Sequence, residues 1–259
     1  MDNKPYIDEI RDLKRRMLKS LYLSKEGHLP SSFSVLDLLY VIYRDAISIG
    51  QDTSVKNQLI LSKGHASLAL YAVLARFGYI GFQELDEFGG RESRLGGHPD
   101  RNKVPGVVAS TGSLGHGLPI AVGISIAKNL DADNGSIYVI VGDGEINEGT
   151  TWESLLLIEE HRLVNLCLIV DLNHSGNRAI KLGNVKSKFQ GFDFEIVEID
   201  GHNEKEISKA INMDIRLKPK VVIANTVKGH GLSAIENDPA WHHRVPNDRE
   251  YADLLQALI

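Results

Sequence analysis

The sequence predicts an α/β fold: a doubly wound, mainly parallel sheet with helices on both faces, in one domain spanning residues 1–259. Three observations predict it. Short apolar runs of strand length alternate with longer stretches of helical period. A strand, a helix and a second strand follow one another between Ile137 and Leu172, the signature of a βαβ unit with parallel strands and a right-handed crossover. The composition, 42% hydrophobic and 24% charged over 259 residues, suits one sizeable core.

The elements follow in order. Ile7, Ile10, Leu13, Met17 and Leu21 recur at helical spacing, and the helix stops near Gly27, with Pro30 beyond. A second helix runs through Val35, Leu36, Leu38, Leu39 and Ile42. Gln58 to Leu61 is a short strand, and residues 66–77 form a mostly apolar, buried helix. Residues 89–117 are rich in Gly and Pro and lack periodicity, which marks functional loops because apolar segments continue on both sides. Residues 118–130 resume as a helix that is apolar nearly all round. Ile137 to Val141 is a strand, Gly142-Asp143-Gly144 a turn, and Thr150 with Glu153 has the spacing of a capping box opening a helix to about Arg162. Leu166 to Leu172, Glu195 to Ile199 and Val221 to Thr226 are strands, with a helix over 204–217 between the last two.

Bulk properties exclude several classes. The formal charge of -5 offers no basic excess for nucleic acid. Cys167, the single cysteine, sits in the run Leu166-Cys167-Leu168-Ile169-Val170 and reads as a packed small hydrophobe, not a nucleophile. No apolar run approaches the ~20 residues that span a bilayer, and the N-terminus lacks the apolar stretch of a signal peptide. A soluble, cytoplasmic protein is expected.

In such a sheet, ligands bind beyond the carboxyl ends of the strands. Asp143 follows one strand and Asn173 the next, so the crossover returns both to one sheet edge. A carboxylate and an amide oxygen are hard donors that suit Mg²⁺ or Ca²⁺ and leave coordination positions for phosphate oxygens. Gly142 and Gly144 would let phosphates approach the backbone. Gly-Asp-Gly alone reads as well as a surface turn; its pairing with Asn173 is what favours a site.

Around these residues the sequence resembles the transketolases, the thiamine diphosphate-dependent family. Gly142-Asp143-Gly144-Glu145, Asn147-Glu148-Gly149 and Asp171-Leu172-Asn173 resemble its thiamine diphosphate motif. Gly27-His28-Leu29-Pro30-Ser31-Ser32, Ser62-Lys63-Gly64-His65-Ala66, Gly96-Gly97-His98-Pro99 and Ser110-Thr111-Gly112-Ser113-Leu114-Gly115 resemble its other loops. Thr226-Val227-Lys228-Gly229 and Trp241-His242-His243 resemble the last of them, all in family order. The resemblance implies a metal held by Asp143, Asn173 and the backbone carbonyl of Ser175. It implies diphosphate contacts from Gly142, Gly144, Glu145, His65 and His242, with Gly112, Ser113 and Leu114 beside the cofactor rings. His28, His65 and His98 would line the substrate channel, and Glu148 matches an acidic position at the family's subunit interface. The sequence departs from the pattern at Ser175 and Asn177, which stand where apolar residues are usual, at His116, where glutamine is common, and at His230, where a lysine is common.

The resemblance further implies that the carboxylate activating the aminopyrimidine lies in a following domain. The expectation is a split enzyme. A separate C-terminal transketolase-like subunit would supply the pyrimidine side in an α₂β₂ heterotetramer acting on sugars or sugar phosphates. A piece of a longer chain is the competing expectation. Two other readings compete with ketol transfer: a decarboxylating synthase of the deoxyxylulose phosphate synthase type, and a non-catalytic cofactor-binding scaffold. A dinucleotide fingerprint is excluded because Gly112, Gly115 and Gly117 follow a loop, not a strand. The histidines include no His-Glu-x-x-His, which argues against a zinc hydrolase. His161 and His202 read as structural.

Overall fold

The computed structural model describes residues 5–47, 57–213 and 217–259. Five strands, β1 (Gln58–Leu61), β2 (Ile137–Gly142), β3 (Leu166–Leu172), β4 (Glu195–Asp200) and β5 (Lys220–Asn225), form a sheet in the order β1-β2-β3-β5-β4. Every pairing is parallel. Eight helices accompany it among the described residues: α1 (Tyr6–Ser24), α2 (Leu29–Asp45), α3 (Ser67–Arg76), α4 (Gly117–Leu130), α5 (Gly149–Glu160), α6 (Val185–Phe189), α7 (Glu204–Asn212) and α8 (Asp248–Ala257).

The period-2 alternation of buried strands builds two cores. Tyr138, Ile140, Cys167, Ile169, Val222 and Ala224 face one core, with α1, α2, α3 and α7. Val139, Val141, Leu168, Val170, Val221 and Ile223 face the other, with α4, α5 and α6. The doubly wound class is thereby realised. Helix α2 is buried from Leu29 to Tyr43, as a helix sandwiched between others must be. Strand β4 lies at the sheet edge and carries Glu195, Glu198 and Asp200 there, charges that discourage edge-to-edge pairing.

Several sequence expectations need correction. Thr150 caps nothing: its hydroxyl donates to the Gly115 carbonyl at 3.0 Å, and α5 starts from Glu148 without a side-chain cap. The tertiary partner outcompetes the local motif. His161 lies just beyond the end of α5, exposed, instead of within the helix. The expected helix over 204–217 ends at Asn212, and residues 214–216 lie outside the described set. Ile7, assigned to the buried stripe of α1, is 59% exposed. Helix α8 is absent from the sequence reading although Asn247 and Glu250 form a real capping box. Cys167 is buried and its thiol is pushed up to about 11 by burial, consistent with an inert packed residue. No helix among the described residues is long and apolar enough to cross a membrane.

Leu155 of α5 is fully buried against the sheet. Leu155→Ala should cost about 3 kcal/mol, read as a lower midpoint in urea unfolding with an unchanged slope.

Candidate functional site

Four strand ends converge on one edge. β1 runs into Ser62-Lys63-Gly64-His65, β2 into the short 3-10 turn Asp143–Asn147, β3 into Asn173 and the turn Ser175–Arg178, and β5 into Thr226-Val227-Lys228. The register sets Gly142 opposite Asp171, which brings Asp143 and Asn173 side by side as the sequence predicted. Gly144 and Gly176 pack so closely that a Cβ on Gly176 would lie 2.8 Å from the Gly144 nitrogen. Gly64 meets the Thr111 carbonyl in the same way, at 2.6 Å from a notional Cβ. A side chain at Gly176 or Gly64 would push these loops apart.

Beneath the edge lies a buried ion pair that sequence reasoning missed. Lys63 is 1% and Asp171 0% exposed, and the ammonium donates directly to the carboxylate. The Ser34 hydroxyl donates to Asp171 at 2.8 Å, the Thr226 hydroxyl donates to its other oxygen, and the Asn173 amide donates at 3.2 Å. Burial alone would raise the Asp171 carboxyl; Lys63 and these donors outweigh it and hold the group below its ordinary value. Because the Asn173 Nδ2 is committed to Asp171 and Ser34, its Oδ1 turns the other way, where it accepts from the Ser175 N–H at 3.1 Å. The only sequence signal was an acidic residue inside an otherwise apolar strand.

Asp143 is 2% exposed. Its Oδ1 accepts from the Gly176 N–H at 3.1 Å and the Ser175 hydroxyl at 3.3 Å, while Oδ2 is buried and has no hydrogen-bond partner among the described residues. Burial, with the charge of Asp171 nearby, pushes its carboxyl up. A bare, buried carboxylate oxygen is costly unless a cation or donor meets it. Asp143 borders a cavity of about 320 Å³, which is lined also by Lys63, His65, Leu114, Asn173, Arg178, Lys228 and His242. A second hollow of about 400 Å³ shares Asn173, Ser175, Arg178 and Lys228. The donor set, one carboxylate and one amide oxygen facing a cation-lined cavity, fits a hard divalent ion carrying a phosphate-bearing ligand.

The histidines divide into two groups. His28, His65 and His242 cluster, with the His28 ring centroid 5.3 Å from that of His65 and 5.2 Å from that of His242. Burial pushes His28 down to about 4, drives His65 far below the ordinary histidine value with help from Lys63, and lowers His242 with help from Lys228. His28 Nδ1 donates to the His242 carbonyl at 2.9 Å, which leaves Nε2 as the acceptor of a neutral ring. His98 is exposed, and its ring backs Gly112 at 3.1 Å from where a Cβ would stand. His202 is structural, as expected: it bridges Asp37 at 3.0 Å and the Val227 N–H at 2.9 Å.

Other predicted residues fall around the rim. Leu114 is 39% exposed and lines the cavity, Ser113 is exposed beside it, and Gly112 is half-buried. Glu148 is half-exposed under Gly115. Glu145, expected at the cofactor, has both oxygens engaged by the Ser62 hydroxyl, the Gly115 N–H at 2.9 Å and the Gly142 N–H at 2.8 Å. Its carboxylate therefore positions the 112–115 loop against β2 from within. Lys228 was given no role by the sequence, although it lies in the segment Thr226-Val227-Lys228-Gly229; it is 8% exposed and 2.8 Å from His242 Nδ1. Burial and the charge of Lys63 push it down to about 8.

A parallel, doubly wound sheet whose strand ends hold a bare carboxylate, a fixed amide and buried cations around a cavity defines an α/β domain built for an anionic cofactor. Residues 3–258 match the transketolase family's thiamine diphosphate binding domain, and the chain belongs to that family. One of the subunits of the apulose-4-phosphate transketolase of Actinobacillus succinogenes is 36% identical over 246 residues, covering 90% of this chain and 87% of that protein. The 6-deoxy-6-sulfo-D-fructose transketolase subunit SqwG of a Clostridium species is 34% identical, covering 84% and 82%. The solved transketolase of Campylobacter jejuni superposes with a TM-score of 0.85 at 27% identity, and the match spans 96% of this chain but only 42% of that one. This kinship supports thiamine diphosphate-dependent ketol transfer as the reaction class.

Lys63→Met would leave Asp171 buried without its counter-ion, and should destabilise the fold by about 3–5 kcal/mol in denaturant unfolding. The double change Lys63→Met with Asp171→Leu should recover a large part of that loss.

Proposed function

We propose that this chain is the diphosphate- and metal-binding subunit of a cytoplasmic transketolase, whose second subunit supplies the pyrimidine side of the site. Together, in an α₂β₂ assembly, they would move a two-carbon ketol unit from a ketose to an aldose. The observation that carries this reading is the bare Oδ2 of Asp143, buried at a cavity lined by Lys228 and His242. Asp143, the Oδ1 of Asn173 and the Ser175 carbonyl would hold Mg²⁺. The Gly142 and Gly144 backbone, His65, His242 and Lys228 would take the diphosphate, and Gly112, Ser113 and Leu114 the rings.

Thiamine diphosphate, when bound, supplies the nucleophilic carbon that accepts and releases the ketol unit. The chain's own residues would do the rest. His28, His65 and His98 would hydrogen-bond sugar hydroxyls, His28 and His65 as neutral rings, and the free Nε2 of His28 could take a hydroxyl proton. Glu148 would face the neighbouring subunit. Two relatives named as transketolase subunits carry different sugars in their names.

Melting the chain with thiamine diphosphate and Mg²⁺ tests the cofactor site. At about a hundredfold excess over Kd, the wild type should rise by roughly 5–10 °C, and only with metal. Asp143→Ala should abolish the rise. Ketol transfer by the pure chain alone would overturn the shared-site reading.

The affinity for diphosphate should also depend on pH with a definite sign. Lys228 is cationic below about 8, so binding should weaken as pH climbs through and beyond that value. A bound anion moves the midpoint upward, and Lys228→Met should flatten this limb of an isothermal titration series.

A further inference from the structure

A buried couple of Asp37 and His202 grips the segment that carries Lys228, from outside the cavity. His202 follows β4; its side chain is 8% exposed and that of Asp37 5%. Neither lines the two hollows at the strand ends. His202 Nδ1 lies 3.0 Å from Asp37 Oδ2, and its Nε2 accepts from the Val227 N–H at 2.9 Å. A carboxylate accepts and a backbone N–H donates, so the two bonds admit one ring state, neutral with the proton on Nδ1. The Tyr6 hydroxyl donates to the other Asp37 oxygen. Burial alone would raise the Asp37 carboxyl; His202, Lys14 and Tyr6 outweigh it and hold the group below its ordinary value.

His230 packs on the couple. Its ring stacks on His202 with centroids 3.6 Å and planes 18° apart, and Lys14 donates to its backbone carbonyl at 2.8 Å. Asp37, His202 and His230 lie near enough together to share a metal ion. Three features oppose that use. Two nearly parallel rings do not aim their in-plane lone pairs at one ion, both His202 nitrogens are committed, and Lys14 adds a positive charge. The cluster is an anchor for the backbone after β5.

From that anchor, order runs into the cavity through bonds that each fix one ring. The residue after Val227 is Lys228, whose Nζ lies 2.8 Å from His242 Nδ1. An ammonium only donates, so Nδ1 accepts and the neutral His242 ring carries its proton on Nε2. The His242 carbonyl accepts from His28 Nδ1 at 2.9 Å, which leaves His28 Nε2 bare. A donor ring and an acceptor ring therefore stand side by side, with centroids 5.2 Å apart. We propose that His202 is a positioning residue: selected by Asp37 in one tautomer, it fixes the backbone at Val227 and, through Lys228, sets the tautomers of His242 and His28. Its meaning for function rests on the thiamine diphosphate reading, in which the donor ring meets a phosphate oxygen and the acceptor ring a sugar hydroxyl.

The test reads which nitrogen of each imidazole carries the proton, by proton–nitrogen correlation NMR on the isotopically labelled full chain at neutral pH without ligand. Wild type should show His202 and His28 protonated on Nδ1 and His242 on Nε2. His202→Asn keeps a donor for Asp37 but is too short to reach Val227. It should release His242 and His28 into mixed tautomers and weaken thiamine diphosphate with Mg²⁺ about fivefold in isothermal titration, the worth of one hydrogen bond. His202→Gln, which brings an amide oxygen to the Nε2 position, should restore both. Asp37→Asn is the second variant: it leaves the ring in place, removes the charge that selects its tautomer, and should loosen the same rings. A mixed His242 ring in wild type, or rings unchanged in both His202→Asn and Asp37→Asn, would overturn the positioning role and leave the cofactor site standing. Shifted rings with unchanged cofactor affinity would uphold that role and overturn the diphosphate contact of His242.

Discussion

The ion pair between Lys63 and Asp171 ties together segments that are distant in sequence: the end of β1, the end of β3, the first two turns of α2 through Ser31 and Ser34, and the end of β5 through Thr226. Two charges this deeply buried gain little net stability over an apolar pair, because desolvation consumes most of their attraction. What they supply is direction. Asp171 accepts from the Asn173 amide, so the amide cannot rotate, and its oxygen keeps one orientation toward the turn that also receives Asp143. The same carboxylate neutralises Lys63, which would otherwise repel Lys228 across the cavity more strongly. A surface pair could do neither, since solvent would screen it and its side chains would wander.

Glu145 performs the matching task on the other side of the site. Its buried carboxylate gathers the Ser62 hydroxyl, the Gly115 N–H and the Gly142 N–H, so the 112–115 loop and the β1 and β2 ends share one anchor. Two internal carboxylates thus hold the frame and leave a third, that of Asp143, with an oxygen to spare. Stability and function divide among chemically identical groups according to how many donors each has met.

The fold was legible because strand burial is two-sided: Ile137 to Val141 and Leu166 to Leu172 are nearly continuous apolar runs, and their neighbours are plainly helical. Asp143 and Asn173 were legible from position alone, since the topology carries both strand ends to one edge. What escaped was tertiary. Thr150 has a capping spacing, yet bonds to Gly115 across a loop, and Glu145, on the cavity wall, also spends its oxygens on Ser62, Gly115 and Gly142. Lys63, Lys228 and Arg178 are ordinary polar residues in sequence, and their burial or their place on a cavity wall is settled only by partners dozens of positions away. The missed helix α8 is different: its Asn247–Glu250 box was there to be read, and its short amphipathic stretch simply lay beyond the strongest sheet pattern.

The departures after Asn173 fit the same logic. Where the family pattern has apolar side chains, this turn has Ser175 and Asn177, whose side chains bind neighbouring segments: the Ser175 hydroxyl donates to Asp143 and the Asn177 oxygen accepts from the Leu182 N–H. With Gly176 pressed against the Gly144 backbone, the cradle beside Asp143 is made of main chain and short polar groups. Its Ser175 and Gly176 N–H groups are already taken, by the Asn173 and Asp143 side chains. The apolar side chains on the cavity wall are Leu114, on the loop that Glu145 anchors, and Ala179.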